Sequence, residues 1–535
     1  MPLLSSPARP AEPVRPARPG WAATLARVTR PGRAATLAQA ASPARRAVRP
    51  WLPAAGFLAS AVFAALVALI SDEPVHRLWG GWAAAGYGLA ALIAARGPAW
   101  AARSRSVAAR AGYFSPAADR ASRDLGRAGR GSGRAGRGSG RAGRSPWFLA
   151  AAVAVALAGA VLVPLSTLAA AGQGMPEVGV TERAAALLLQ HGSPYLPAAR
   201  LAGHGFLAYN PYLPAMTVFG LPHAVFGPGL LTDPRLWAGL VFAASALAAF
   251  RIAGLPGRAS AGATAVLVAT PVIAFPLVVS GNDVPVLGLT LLGLALAGAA
   301  HNPARDLAFT PVTSATAVRL RRIASPAVAA GAVLGLAAAM KATAWPAVAV
   351  AAALLASRVW RPEARRAVAR YAAAAAAVFA AALLPWLVTA PDALLRNTVL
   401  FPLGLTGTAS PAASPLPGHL LAAAGPAGHV IALAALAAAA LVPAAFLVLR
   451  PPRTGAAAVR RLAGWLALLF ALAPDSRWGY FCYPAGLAAW LWLRGGLRWP
   501  AAGSGQRGEE VTDGLAAAGV EGDLHPGVPA GLRRA

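Results

Sequence analysis

The feature that most constrains this chain is a series of long apolar runs. Stretches of about 18 apolar residues or more recur between Trp51 and Leu493, long enough to cross the hydrocarbon core of a bilayer as helices. Only 12% of the residues are charged, against about 25% in a soluble domain. The sequence therefore predicts an all-α, polytopic integral membrane protein, and it excludes a soluble enzyme.

The spacing of these runs predicts about eleven to thirteen transmembrane or re-entrant helices. The runs 326–340 and 345–357 are short, which favours a re-entrant or bent pair. A proline-containing run between 209 and 259 is expected to lie in the interface. The chain divides into a disordered basic arm (1–50), a helical hairpin (51–95), a disordered Arg/Gly-rich linker (96–146), a polytopic core (147–495) and a disordered tail (496–535).

The formal net charge of +30 comes almost entirely from arginine, since Lys341 is the sole lysine. The arginines cluster between apolar runs, as expected of cytoplasmic loops, and no nucleic-acid recognition module accompanies them. We expect a multi-pass protein of the plasma (inner) membrane with both termini in the cytoplasm. Its partner is then the lipid bilayer, not a nucleic acid. The predicted outer segments are 171–208, Ser280–Asp283, 390–417 and 474–478.

Acidic residues are scarce, with eight in the core region 147–495. Those in the predicted outer segments include Glu177, Glu182 and Asp283. Ionisable groups at membrane depth are costly and often functional. The alternative is that these segments are simply exposed to water.

The stretch 177–214 combines an acidic residue, a short amphipathic helix (Ala184–Gln190) and an aromatic, Pro-rich segment. This pattern resembles the first outer loop of the C-type glycosyltransferases, and in particular the bacterial polyprenol-phosphate-mannose-dependent α-(1→2)-mannosyltransferase-like membrane family. The matching residues are Glu177–Val180, Leu187-Leu188, Gly192–Tyr195 and Tyr209–Pro214. Further on, Ser280–Asp283 and Ala330–Pro346 resemble later segments of that family. The family usually has Asp at the position of Glu177, followed by an aromatic at that of Thr181.

The resemblance implies a C-type glycosyltransferase core that takes a sugar, mannose, from a polyprenyl-phosphate donor. The acceptor would be a cell-envelope glycolipid or glycan at the outer face, with inversion by single displacement. Such a reaction needs a base to deprotonate the acceptor and cations to stabilise the leaving phosphate. Glu177 is the candidate base, and Lys341 and Arg477 are the candidate phosphate ligands. Lys341 can instead snorkel to the interface, and Arg477 can form a surface pair with Asp475.

Glu182, Tyr195, Tyr209 and Asp283 are the remaining candidates, for substrate binding. Interfacial aromatic residues are, however, often membrane anchors. His191 and His204 share the loop with the two glutamates, but their spacing matches no familiar metal site. We therefore expect neither a metal nor another cofactor.

Two other functions stay open from the sequence. A transporter or flippase of lipid-linked sugars would share the membrane body and the phosphate-binding cations, although transporters often show two related halves and none is visible here. A relative that has lost catalysis is the second alternative, prompted by glutamate in place of aspartate at position 177.

Overall fold

The computed structural model describes residues 51–110, 147–201, 205–301 and 325–496, with the backbone alone for 97–110 and 496. The predicted arm, the linker beyond residue 110, the loop Arg305–Arg322, His204 and the tail beyond 496 lie outside the described residues. The described part is helical, and it contains one isolated bridge, Ala413 to Ser476, and no β-strand.

The main helices are numbered here in chain order. They are α1 (Leu52–Ile70), α2 (Pro74–Arg110), α3 (Trp147–Ala170), α4 (Pro176–His191), α5 (Pro214–Phe226, its first half a 3₁₀ helix), α6 (Pro234–Ile252), α7 (Gly257–Ala269), α8 (Pro271–Val279), α9 (Asp283–His301), α10 (Pro326–Met340), α11 (Trp345–Ala356), α12 (Pro362–Thr389), α13 (Pro426–Leu449), α14 (Gly455–Leu472) and α15 (Cys482–Gly496). Shorter helical turns lie at Ala198–Leu201, Phe206–Ala208, Ala342–Ala344, Pro391–Leu395, Arg396–Leu400, Pro417–Ala423 and Trp478–Phe481.

Eight helices of the described part are long and apolar enough to cross a membrane, namely α1, α2, α3, α6, α9, α12, α13 and α14. The bent pair α7–α8 gives a ninth span if it crosses as one. A helix satisfies its own backbone hydrogen bonds, which is why apolar runs in lipid adopt this structure. The prediction of an all-α polytopic membrane protein is confirmed.

Some of the apolar runs form short or broken helices. The apolar stretch 260–278 bends by 63° between α7 and α8, because Thr270 is extended before Pro271. The predicted short pair forms α10 and α11, and the chain between them is extended at Lys341. These short or broken helices account for the difference between eight spans and the larger predicted number of transmembrane or re-entrant helices.

The N-terminal hairpin α1–α2 packs against the rest of the protein. The indole of Trp79 donates a hydrogen bond to the carbonyl of Ala160 at 2.9 Å, and the hydroxyl of Tyr87 donates to that of Ala269 at 2.6 Å. Helix α2 also continues to Arg110, past the boundary predicted at residue 96. Its last turns are rich in Ala and Arg, both strong helix formers, which explains the extension.

Helices α10 and α12 approach closely because α10 carries Gly331 and Gly335 one turn apart. A Cβ atom at Gly331 would lie 2.2 Å from the carbonyl oxygen of Tyr371, and one at Gly335 would lie 2.5 Å from that of Ala375. Small residues at this spacing allow helix backbones to pack closely in membranes.

We expect Gly331→Ala to destabilise the protein by about 1–3 kcal/mol, since the added methyl group forces α10 away from α12. The matched control is Gly56→Ala in α1, where an added Cβ meets no atom within 4 Å. Thermal unfolding in detergent would measure both variants. Equal unfolding temperatures for the two would contradict the close packing of α10 on α12.

Candidate functional site

Glu177 lies in the first turn of α4. The helix begins at Pro176, whose fixed φ suits the first helical position, and it ends at Gly192 in the left-handed conformation. The amphipathic helix predicted at Ala184–Gln190 is therefore longer, and it includes Glu177 itself. A carboxylate in the first turn is stabilised by the helix dipole.

An ion pair joins Glu177 to Arg477, a residue of the segment between α14 and α15. Nη1 of Arg477 donates to Oε1 of Glu177, and both side chains are largely buried. Although burial lowers the pKa of Arg477, the facing Glu177 carboxylate raises it above its usual value. Among the described residues, Oε2 of Glu177 is buried without a hydrogen-bond partner. One carboxylate oxygen is thus paired with a cation, and the other is unpartnered within the described ranges.

The turn between α8 and α9 fixes the start of α4. Nδ2 of Asn282 donates to the carbonyl of Glu177 at 3.3 Å and to Oγ1 of Thr181 at 3.0 Å. Gly281 has φ +79°, and a Cβ atom there would lie 2.9 Å from Cγ of Arg235, so the turn requires glycine. Thr181, at the position where the resembling family has an aromatic residue, thus anchors the helix that carries Glu177.

Lys341 lies at the break between α10 and α11 and contacts the start of α9. Its Nζ donates to Oδ1 of Asp283, which also accepts a hydrogen bond from the hydroxyl of Tyr483 at 2.9 Å. Thr343 donates in turn to the hydroxyl of Tyr483 at 2.9 Å. The Lys341 and Asp283 side chains are each 12% exposed. This network holds the ammonium group in a fixed position.

A cavity of about 320 Å³ connects these residues. Glu177, Lys341 and Arg477 all line it, as do residues from the 398–412 and 473–480 segments. Each of the four segments predicted to be outer lines the cavity or contacts a residue that does, so the four lie close together.

Aromatic side chains form part of the cavity wall. The ring of Tyr209 stacks on that of Phe401, with centroids 4.4 Å apart and planes at 10°. Nζ of Lys341 lies 4.8 Å from the ring centroid of Tyr480 and 5.5 Å from that of Tyr212. Such contacts stabilise the cation when few water molecules reach it.

The predicted substrate-binding residues occupy different environments. Tyr209 lines the cavity, and Asp283 lies behind Lys341 and positions it. The hydroxyl of Tyr195 instead donates to the carbonyl of Tyr212 at 2.8 Å within a buried cluster. Glu182 pairs with Nδ1 of His223 at 3.3 Å, one and a half turns along α4 from Glu177. Glu182 and Tyr195 are therefore not part of the cavity wall.

The cavity residues that are absent from the predicted set include Asp475 and Ser476. The sequence suggested that Asp475 forms a surface pair with Arg477, but Arg477 turns to Glu177 instead. Burial raises the pKa of Asp475, and the nearby His419 and His429 act in the opposite direction. The sequence signal that could have pointed to Asp475 was the scarcity of carboxylates in the core region.

The candidate metal ligands do not come together in the described part of the chain. No group of three or more His, Cys, Asp or Glu side chains there is arranged to hold a metal ion.

No protein-family model and no curated protein matches this chain. Among solved structures, it is similar to the crystal structure of ArnT from Cupriavidus metallidurans bound to undecaprenyl phosphate, with a TM-score of 0.40 and 18% sequence identity. The similarity covers 65% of this chain and 60% of that one, so the chain spans less than two thirds of that protein's length. No activity or substrate of this chain follows from a similarity at this level.

Proposed function

We propose that this protein is a membrane glycosyltransferase of the C type. It transfers a sugar, mannose, from polyprenyl phosphate to a hydroxyl group of an envelope glycolipid or glycan at the outer face of the plasma membrane. The observation that carries the proposal is the composition of the cavity wall. Glu177, a carboxylate with one oxygen unpartnered among the described residues, lies there together with two cations, Lys341 and Arg477.

These groups match the requirements of a single displacement. Oε2 of Glu177 takes the proton from the acceptor hydroxyl as its oxygen forms the bond to the anomeric carbon. The bond from that carbon to the phosphate oxygen breaks, and the phosphate leaves with the electron pair. Lys341 and Arg477 stabilise the charge that develops on it. The configuration at the anomeric carbon is inverted.

Both cations keep hydrogen-bond donors for a phosphate. Asp283 takes one N–H of Lys341, and Glu177 takes one N–H of Arg477. An ammonium and a guanidinium group each carry further donors. The carboxylates hold the two cations in place before the donor binds, so little rearrangement is needed on binding.

The choice of mannose rests on the sequence resemblance of the stretch 177–214. The outer location rests on the charge distribution, since the arginine-rich loops are expected in the cytoplasm and Glu177 lies in a loop expected on the opposite side.

A transfer assay tests the proposal directly. The purified full chain in lipid vesicles would receive radiolabelled polyprenyl-phosphate mannose and a membrane-lipid extract as acceptor. We expect label in a new product and release of an equal amount of polyprenyl phosphate. Label that crosses the bilayer while still attached to polyprenyl phosphate would establish a flippase instead. If a panel of lipid-linked sugars gave neither a labelled product nor label crossing the bilayer, the proposed transferase function would be contradicted.

A further inference from the structure

Unpartnered buried oxygen atoms are concentrated at the cavity. Seven buried side-chain nitrogen or oxygen atoms have no hydrogen-bond partner among the described residues, and three of them belong to cavity residues: Oε2 of Glu177, Oδ2 of Asp475 and Oγ of Ser476. Native proteins rarely leave buried polar atoms unpaired. Oε2 of Glu177 is the proposed base. Oδ2 of Asp475 and Oγ of Ser476 have no role in the proposed displacement reaction.

The backbone around Ser476 is held rigidly. The amide of Ser414 donates to the carbonyl of Ser476 at 3.0 Å, and Oγ of Ser414 accepts from the amide of Trp478 at 3.2 Å. One residue before Asp475, the carbonyl of Pro474 is hydrogen-bonded to the ring of His419 at 3.0 Å. Ser476 itself is fully buried, with 0% exposure. The backbone that carries the two side chains is thus held by hydrogen bonds from neighbouring segments.

The chemistry of this pair favours hydroxyl groups over phosphate. An ionised carboxylate only accepts hydrogen bonds, and it repels an anion. Within the described residues Arg477 pairs with Glu177 and not with Asp475, and the groups that act on the charge of Asp475 are the nearby His419 and His429. Ser476 can both donate and accept. A ligand that supplies several O–H groups would satisfy both side chains.

We propose that Asp475 and Ser476 form a sugar-binding subsite that holds the hydroxyl groups of a pyranose ring. This inference rests on the proposed transferase function and adds specificity-determining residues to it. The phosphate then lies at Lys341 and Arg477, and the sugar hydroxyls lie at Asp475 and Ser476. The ring belongs either to the donor or to the acceptor.

Binding measurements on the full chain in lipid nanodiscs test the subsite. The probes are polyprenyl-phosphate mannose and polyprenyl phosphate without a sugar. If the ring is that of the donor, Asp475→Ala and Ser476→Ala should each lower the affinity for the sugar-bearing lipid at least about tenfold. A tenfold loss is equivalent to about 1.4 kcal/mol. Affinity for the bare lipid phosphate should not change. Asp475→Asn should lose less affinity for the sugar-bearing lipid than Asp475→Ala, since asparagine keeps one acceptor oxygen.

The matched control is Asp392→Asn, an exposed carboxylate paired with Arg396 away from the cavity wall. Unfolding temperatures of all variants should stay close to that of the wild type, because Oδ2 of Asp475 and Oγ of Ser476 have no hydrogen bond to lose in the described part of the protein. A stable variant therefore reports binding and not folding.

Steady-state kinetics distinguish the two sources of the sugar. A rise of about tenfold in the KM for the donor assigns the subsite to the donor sugar, and a similar rise in the KM for the acceptor assigns it to the acceptor. An equal loss for both lipid probes, or no change in either KM, would overturn the subsite while leaving the transferase intact. A wild-type protein that neither binds nor transfers would overturn both proposals.

Discussion

Replacing Glu177 by glutamine is expected to reduce sugar transfer by at least about 100-fold, the scale on which a general base contributes. The amide cannot take the proton from the acceptor hydroxyl. It can still accept a hydrogen bond from Arg477, so the contact between α4 and the segment before α15 is kept. Affinity for the lipid donor should therefore stay within about threefold of wild type, and the loss should appear in kcat.

Glu363→Gln is the matched control for this variant. Glu363 also follows a proline in the first turn of a helix, but it is exposed and lies outside the cavity wall. Its activity should equal that of the wild type. Turnover of Glu177→Gln at the wild-type rate would remove Glu177 as the base.

Replacing Lys341 by methionine is expected to weaken donor binding and to destabilise the protein. Methionine keeps the length of the side chain but leaves Asp283 buried without its cation. Breaking a buried ion pair from one side costs about 3–5 kcal/mol. Affinity for polyprenyl phosphate should fall by at least about tenfold, because a cation at the leaving group is lost. Thermal unfolding and lipid binding would measure the two effects.

The double variant Lys341→Met/Asp283→Asn separates stability from binding. Removing both charges leaves no uncompensated buried ion, so we expect most of the lost stability to return. Donor binding should stay weakened, because no cation has been restored. Recovery of both properties, or normal donor binding by Lys341→Met, would indicate that Lys341 has a structural or interfacial role only.

Much of the architecture follows from local sequence. The apolar runs at 52–70, 147–170 and 429–449 match helices of the described structure closely, because the hydropathy of each run is set by its own residues. The break at Pro271 and the short pair around Lys341 also follow local signals. Helix ends are less predictable: α4 begins eight residues before the helix predicted at Ala184–Gln190.

The site was only partly predictable. Glu177, Lys341 and Arg477 stood out as rare charges in an apolar chain, and all three line the cavity. Glu182 stood out for the same reason, yet it pairs with His223 outside the cavity wall. Rarity indicates that a charge needs a partner, but it does not indicate which partner. The direction that a side chain faces on α4 depends on what packs against each face of the helix.

The sequence by itself determined that this is a helical membrane protein, and it indicated that the few carboxylates of the core region are candidate functional residues. Only the tertiary structure decided the pairing. Arg477 reaches Glu177 across 300 positions of the chain, Lys341 reaches Asp283 across 58, and Asp475 is left facing the cavity. Hydropathy and helix formation are local properties, summed over neighbouring residues. An ion pair depends on how distant segments pack, and the cost of burying each charge then selects the partner it takes.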